Sequence, residues 1–100
     1  MGEIRDLLFD ALSDGQQRRI LFALLEREGV DIDSPPDGIE ERYSAAVERR
    51  HVHLPKLEEY GFIEWDRRTD TVVRGPRFAE IEPMLRVVAD NRELLPAIRG

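Results

Sequence analysis

The sequence predicts a single, mainly α-helical domain of the α+β class, with a small β-hairpin and a C-terminal helix. Apolar residues recur at helical spacing through most of the chain, and late in the chain two short runs of strand-forming residues flank a turn. One hundred residues suffice for one hydrophobic core and not for two. We therefore predict one domain over residues 1–100, since 41% hydrophobic and 36% charged residues are typical of a globular chain.

The first two elements are predicted to be helices. Apolar side chains recur every three or four residues over residues 4–12, as on one face of a helix. Ser13 or Asp14 can cap a second helix, predicted over about 16–28, and Gly29 supplies its C-terminal stop.

The next segment, residues 30–41, is predicted to be a loop. It is the most acidic part of the chain and contains Pro35 and Pro36, which cannot enter a helix interior. Two interpretations stay open, a solvated acidic loop and an acidic contact site for a basic partner.

A third helix is predicted from about residues 39–43 to Tyr60. At 100° per residue, one apolar stripe comprises Tyr43, Val47, Leu54, Leu57 and Gly61. The opposite, partly basic face comprises Ala45, Arg49, Val52, His53 and Lys56. Pro55 predicts a break near residues 51–54, and a kinked helix is favoured over two separate ones because the stripe keeps its phase across the proline.

The last third of the chain is predicted to form a hairpin and a helix. Residues 62–66 and 71–74 indicate two strands joined by a turn over 67–70, and Phe62, Ile63 and Trp65 are expected in the core. The C-terminal helix is predicted over about 77–96; Pro83 starts or kinks it and Pro96 ends it. Its steps of three and four are those of a helix-helix seam, formed by Phe78, Ile81, Leu85, Val88 and Leu95.

This order of elements is the layout of a winged helix, in which a helix enters the major groove and the following hairpin flanks the DNA backbone. Residues 53–64 (HLPKLEEYGFIE) resemble the "HL..L...G.(V/I)" block of ArsR-like winged-helix transcriptional regulators. Residues 8–14 (LFDALSD) with 18–21 (RRIL) are similar to the "ALSDPRRRRIL" opening of that class. Residues 74–78 and 83–85 resemble the short winged-helix proteins of salt-loving archaea.

The resemblance implies a DNA-binding regulator that acts as a homodimer. It makes the helix around His53 the recognition helix and residues 67–70 the tip of the wing. One departure from the family is visible: where the first helix of the helix-turn-helix belongs, residues 30–42 are acidic and interrupted by proline. We expect that helix to be shortened or absent.

Charge is unevenly distributed along the chain. The net charge of -6 argues against coating nucleic acid by bulk charge, but residues 1–48 hold 12 acids and 5 bases whereas residues 49–100 hold 9 acids and 10 bases. The predicted DNA contacts are Arg49, Val52, His53 and Lys56 on the recognition helix, Arg67, Arg68 and Arg74 on the wing, and Gln17 and Arg18 as candidate phosphate contacts at the start of the second helix. The alternatives are a solvated helix face, a plain turn and a solvated first helical turn.

Fourteen of the fifteen basic residues are Arg. Together with the acidic excess, this composition favours adaptation to a salt-rich cytoplasm, because Arg is weakly hydrated and keeps its charge. GC-rich codon usage is the alternative explanation.

Other classes of function find little support. The chain has no cysteine, and His51 and His53 are spaced so that a helix points them apart, so we expect no metal and no cofactor. No nucleophile elbow or phosphate-binding glycine loop is present, so we expect no enzyme and no small-molecule substrate. Acidic residues occupy the start of the chain and no run approaches the length of a membrane span, so we expect a cytoplasmic protein.

Two functions remain from the sequence. The first is a winged-helix transcriptional regulator that binds duplex DNA as a homodimer, paired through the C-terminal helix and the helix at residues 4–12. The second is a protein-protein interaction adaptor that keeps the scaffold and has lost DNA binding. The apolar seam has its own alternative, since the C-terminal helix could instead cover the core of its own monomer.

Overall fold

The computed structural model describes residues 2–31 and 52–92 of the chain. These residues form seven elements: helix α1 (Gly2–Leu12), helix α2 (Gly15–Glu26), strand β1 (Gly29–Asp31), helix α3 (Leu54–Glu59), strand β2 (Ile63–Asp66), strand β3 (Thr71–Arg74) and helix α4 (Phe78–Asp90). The predicted α+β class, with a winged-helix arrangement and a C-terminal helix, is confirmed. Predictions on residues 32–51 and 93–100, which include Arg49 and Leu95, lie outside the described residues.

Helix α2 begins where the sequence predicts. Asp14 is its N-cap, and its Oδ1 accepts hydrogen bonds from the backbone N–H groups of Gln16 (2.8 Å) and Gln17 (3.1 Å). The helix ends at Glu26, two residues before the predicted end. Gly29 is not its C-terminal stop, because it already belongs to strand β1.

The sheet has three strands instead of the predicted two. All neighbours are antiparallel and the order is β1-β3-β2, with Val72 opposite both Val30 and Trp65. The predicted loop from residue 30 onward is therefore wrong at Val30 and Asp31, which pair with β3. Three residues are too few to show the alternation that marks a strand in a sequence.

Pro55 lies at the start of α3, where a missing N–H costs no helical hydrogen bond. Val52 and His53, directly before it, form a π-helical turn. The predicted irregularity near residues 51–54 is thus present within the described residues as a change from π to α geometry at the proline.

Two glycines lie at the base of the hairpin, Gly61 before β2 and Gly75 after β3. Gly61 adopts a φ of +85°, and its carbonyl oxygen accepts a hydrogen bond from the N–H of Arg77 (2.8 Å). A Cβ at Gly75 would lie 2.6 Å from both the oxygen of Gly61 and the nitrogen of Ile63. This close backbone approach fixes the base of the hairpin against the end of α3.

The core lies between the helices and one face of the sheet. Among its fully buried side chains are Leu8, Leu21, Leu57, Phe62 and Phe78. Phe62 and Ile63 are buried and Trp65 is partly buried, as predicted.

The predicted dimer seam on α4 belongs instead to the core of the monomer. Phe78, Ile81 and Leu85 are at most 1% exposed, and Val88 is partly buried against the same core. Helix-helix spacing is the same whether a helix packs on its own chain or on a second copy, so the sequence alone could not separate the two arrangements. Pro83 lies inside α4, on an exposed position.

Candidate nucleic-acid interface

Helix α3 is tied to the wing by one carboxylate. Glu58 accepts the backbone N–H of Trp65 at Oε2 (3.3 Å) and the Nη2 of Arg67 at Oε1 (3.0 Å). One side chain of the helix thus holds both the first strand of the hairpin and its turn.

A second carboxylate ties α3 to α1. The Oδ2 of Asp10 lies 2.8 Å from the Nζ of Lys56 and accepts the hydroxyl of Tyr60 at 2.5 Å. The hydrogen bond from Lys56, followed by that from Tyr60, lowers the pKa of Asp10. The same contacts with Asp10 raise the pKa of Lys56 and of Tyr60. Asp10 carries no signal of this role in the sequence, because 46 residues separate it from Lys56.

His53 does not lie on the outer face of the helix. It is 8% exposed, and its Nε2 is 3.6 Å from the Oδ1 of Asp14. The predicted exposure of His53 is wrong: His53 precedes the buried Leu57 by four residues, one helical turn, and therefore lies beside the apolar face of the helix. Val52 is 52% exposed, so the predicted outer face keeps Val52 and Lys56 among the described residues.

The wing tip carries two exposed arginines. The guanidinium of Arg67 lies 4.2 Å from the centre of the Trp65 ring, a cation-π distance. Arg68 has a side chain that is 90% exposed and lies 3.7 Å from the Oδ1 of Asp66. These two of the three predicted wing residues thus lie at the surface, each beside a carboxylate.

Arg74 is exposed at the end of the wing, as predicted, but its guanidinium contacts α2. Its Nε donates to the carbonyl oxygen of Leu24 (2.8 Å), its Nη2 to that of Leu25 (3.4 Å), and its guanidinium lies 5.0 Å from the Phe78 ring centre. These donors bind the carbonyl groups at the C-terminal end of α2.

Of the two predicted phosphate contacts at the start of α2, Gln17 is buried and Arg18 is half-buried. Gln17 is 1% exposed, and its backbone N–H is already bound to Asp14. The Nη1 of Arg18 donates to the carbonyl oxygen of Leu12 (3.1 Å). The positive end of this helix is thus occupied by a carboxylate of the chain itself.

An acidic groove runs along the hairpin and the end of α3. Its volume is about 540 Å³, and it is lined by Glu58, Glu64, Trp65, Asp66, Thr71 and Val73. Three carboxylates make this groove unfavourable for DNA and suited to a cation.

A family sequence model matches more than half of this chain. The model of a domain of unknown function, DUF7344, matches residues 9–73, which is 65 of the 100 residues. The chain belongs to the DUF7344 family. No curated protein and no solved structure matches it.

The DUF7344 match covers both ties that position α3. It runs from Phe9, beside Asp10, to Val73 in β3, so it includes Lys56, Glu58 and the wing tip and leaves α4 outside. Within the described residues of this DUF7344 domain, no three His, Cys, Asp or Glu side chains are grouped so as to hold a metal ion. No helix in the same residues is long and apolar enough to cross a membrane.

Proposed function

We propose that this DUF7344 protein binds duplex DNA and regulates transcription, as a homodimer. The observation that carries the proposal is the direct tie between α3 and the wing, in which Glu58 holds both Trp65 and Arg67. A helix fixed to a following hairpin can enter a major groove while the hairpin lies along the backbone.

The side chains available for DNA are fewer than the sequence predicts. On α3 they are Val52, for apolar contact with a base, and Lys56, for a phosphate; on the wing they are Arg67 and Arg68. Arg49 stays in the proposal from the sequence alone. His53 and Gln17 are buried, and the exposed Arg74 is engaged by the carbonyl groups of α2.

Charge reversal tests the proposal. A variant with Lys56, Arg67 and Arg68 all changed to Glu is compared with wild type for binding of a labelled duplex from upstream of the protein's own gene, across a range of salt. We expect at least a tenfold loss of affinity and a shallower salt dependence. The log-log slope should fall by about 0.9 for each phosphate that the variant no longer neutralises.

The matched control is Arg86→Glu, on α4, where the pair of Arg86 with Glu82 (3.1 Å) is far from α3 in the chain. This control reverses a charge on an element outside the proposed interface and should change affinity by less than twofold. Equal affinity of the triple variant and wild type would overturn the assignment of this surface to DNA.

The homodimer requires a face other than the buried seam of α4. Helix α4 keeps Val87 62% exposed, and α1 keeps Phe9 57% exposed, so both helices retain apolar surface outside the core. Light scattering in molar salt tests the dimer, and a mass near 11.6 kDa would overturn it.

A transcriptional regulator works where the chromosome is, so we propose that the protein is cytoplasmic. Cell fractionation checks this location.

The acidic groove favours a second function, a protein-protein adaptor. Glu58, Glu64 and Asp66 surround Trp65 and Val73 there, and such a groove suits a Lys- or Arg-rich segment of a partner. A protein recovered in high salt with wild type and absent with Glu64→Arg would support the adaptor. Recovery of DNA alone would count against it.

A further inference from the structure

The described cations of the proposed DNA surface are all beside carboxylates of the same chain. The nitrogen-oxygen distances are 2.8 Å for Lys56 with Asp10, 3.0 Å for Arg67 with Glu58 and 3.7 Å for Arg68 with Asp66. Carboxylate and phosphate oxygens accept the same charge-assisted hydrogen bonds. A phosphate that takes one of these cations must therefore compete with a carboxylate already in place.

The first two pairs are built more firmly than the third. Asp10 is held from two sides, because Tyr60 donates to the same Oδ2 as Lys56. Glu58 is anchored by the backbone N–H of Trp65 while it binds Arg67, and the Arg67 guanidinium lies 4.2 Å from the centre of the Trp65 ring. Within the part of the chain that the structure describes, Arg68 has no such support from a ring, and its side chain is 90% exposed.

We propose that Asp10 and Glu58 are intramolecular competitors of the DNA phosphates, holding Lys56 and Arg67 until a phosphate displaces them. The proposal rests on the proposed DNA binding and adds its regulation: these two carboxylates set how tightly and with what salt dependence the surface binds. Asp66 does the same more weakly at Arg68.

The expected consequence is a weaker response to salt than the number of cations suggests. DNA releases counterions when a protein cation neutralises a phosphate, and this release makes binding fall with salt. A carboxylate that loses its internal partner takes up a cation from solution, which cancels part of that release. Removing the carboxylate should therefore tighten binding and steepen its salt dependence.

The test uses the full chain and two duplexes, one from upstream of its own gene and one of random sequence. Asp10→Asn and Glu58→Gln keep the size of each side chain and remove its charge. We expect each variant to bind about three- to tenfold more tightly than wild type, with a log-log salt slope steeper by up to about 1. Asp66→Asn should give a smaller gain.

Glu82→Gln is the matched control. It removes one negative charge from an ion pair of 3.1 Å with Arg86 on α4, outside the proposed surface. An effect of net charge alone would tighten binding by the same factor in this control. If Asp10→Asn and Glu58→Gln bind no more tightly than Glu82→Gln, the inference is wrong.

Two further measurements separate competition from damage to the fold. Tyr60→Phe removes the hydroxyl that donates to Asp10 and leaves the pair of Asp10 with Lys56. It should therefore lower the stability of the fold without tightening DNA binding.

Trp65 is the only tryptophan of the chain, so its fluorescence reports whether Arg67 leaves the ring. Emission should change when wild type is saturated with DNA, and an unchanged emission would overturn the release of Arg67.

Whether wild type binds DNA separates a failure of this inference from a failure of the proposed function. If neither wild type nor any variant binds either duplex, the proposed function fails and the inference fails with it. If wild type binds and the two variants bind no more tightly, only the inference fails.

Discussion

The Nε of Arg74 in β3 donates a hydrogen bond of 2.8 Å to the carbonyl oxygen of Leu24, near the end of α2. The last carbonyls of a helix have no partner within it, and the last turn of α2 contains no basic residue of its own. A strand 50 residues further along the chain therefore supplies the capping cation. The wing and α2 are joined by this contact.

Replacing Arg74 tests this cap. Arg74→Met keeps most of the apolar stem over Phe78 and removes the donors to Leu24 and Leu25. We expect the free energy of unfolding to fall by about 1–2 kcal/mol, as for the removal of a charged hydrogen bond near the surface. Urea denaturation measures the change. Arg68→Met, at the 90% exposed position, should stay within about 0.5 kcal/mol of wild type. Equal losses in the two variants would contradict a capping role.

The close backbone packing at the base of the hairpin predicts that alanine is tolerated much less well at Gly75 than at Gly29. A methyl group at Gly75 would meet backbone atoms of Gly61 and Ile63 at 2.6 Å, and backbone cannot move aside as a flexible side chain can. Gly75→Ala should cost at least about 1–3 kcal/mol of stability. At Gly29 the closest atom would be 3.5 Å away, an ordinary contact, so Gly29→Ala should change little. Thermal denaturation of both variants checks the contrast, and similar melting temperatures would refute it.

The contacts of Asp10 with Lys56 and Tyr60 predict that wild type and Asp10→Asn differ in stability by an amount that depends on pH. The pKa of Asp10 in the folded protein is lower than its ordinary value of 3.8, so its contribution is present above pH 3.8 and is lost as the pH falls through the lower, folded value. The pKa values of Lys56 and Tyr60 are raised from 10.5 and 10.0, so their contribution is present below these values and is lost as the pH rises beyond them.

The comparison is between wild type and Asp10→Asn. At pH 7 we expect wild type to be more stable by about 0.5–1 kcal/mol, a small value because the Lys56 and Asp10 side chains are 39% and 46% exposed. The difference should shrink below pH 3.8 and above pH 10, and also in high salt. Denaturant titrations at several pH values measure it, and a difference that grows on acidification would contradict the sign.

The burial of its apolar seam predicts that helix α4 stabilises the folded monomer. Leu85 is fully buried, so Leu85→Ala should lower the free energy of unfolding by about 2–5 kcal/mol. Val87 is 62% exposed on the same helix, and Val87→Ala should cost far less. Denaturation together with light scattering checks this. A Leu85→Ala variant that dissociates into stable monomers would show that the residue belongs to an interface after all.

The helices, the hairpin and most core residues could be predicted from the sequence because they depend on local periodicity. Strand β1 could not, since three residues carry no periodicity and their partner Val73 is 44 residues from Gly29. Contacts between distant segments were missed for the same reason, as with Arg74 and Leu24 or Asp10 and Lys56. The prediction for His53 failed differently: this residue precedes the buried Leu57 by one helical turn, so it lies beside the apolar face and not opposite to it.

The pairing of β1 with β3 also orders the assembly of the chain during synthesis. Asp31 pairs with Thr71, and 39 residues lie between them, so β1 leaves the ribosome long before its partner exists. At about 5–20 residues per second the delay is roughly 2–8 s, whereas a hairpin such as β2–β3 closes in microseconds. Helices α1 and α2 can pack together during that interval. A nascent chain cut before residue 71 would keep both helices and α3 but lack the strand with which β1 pairs.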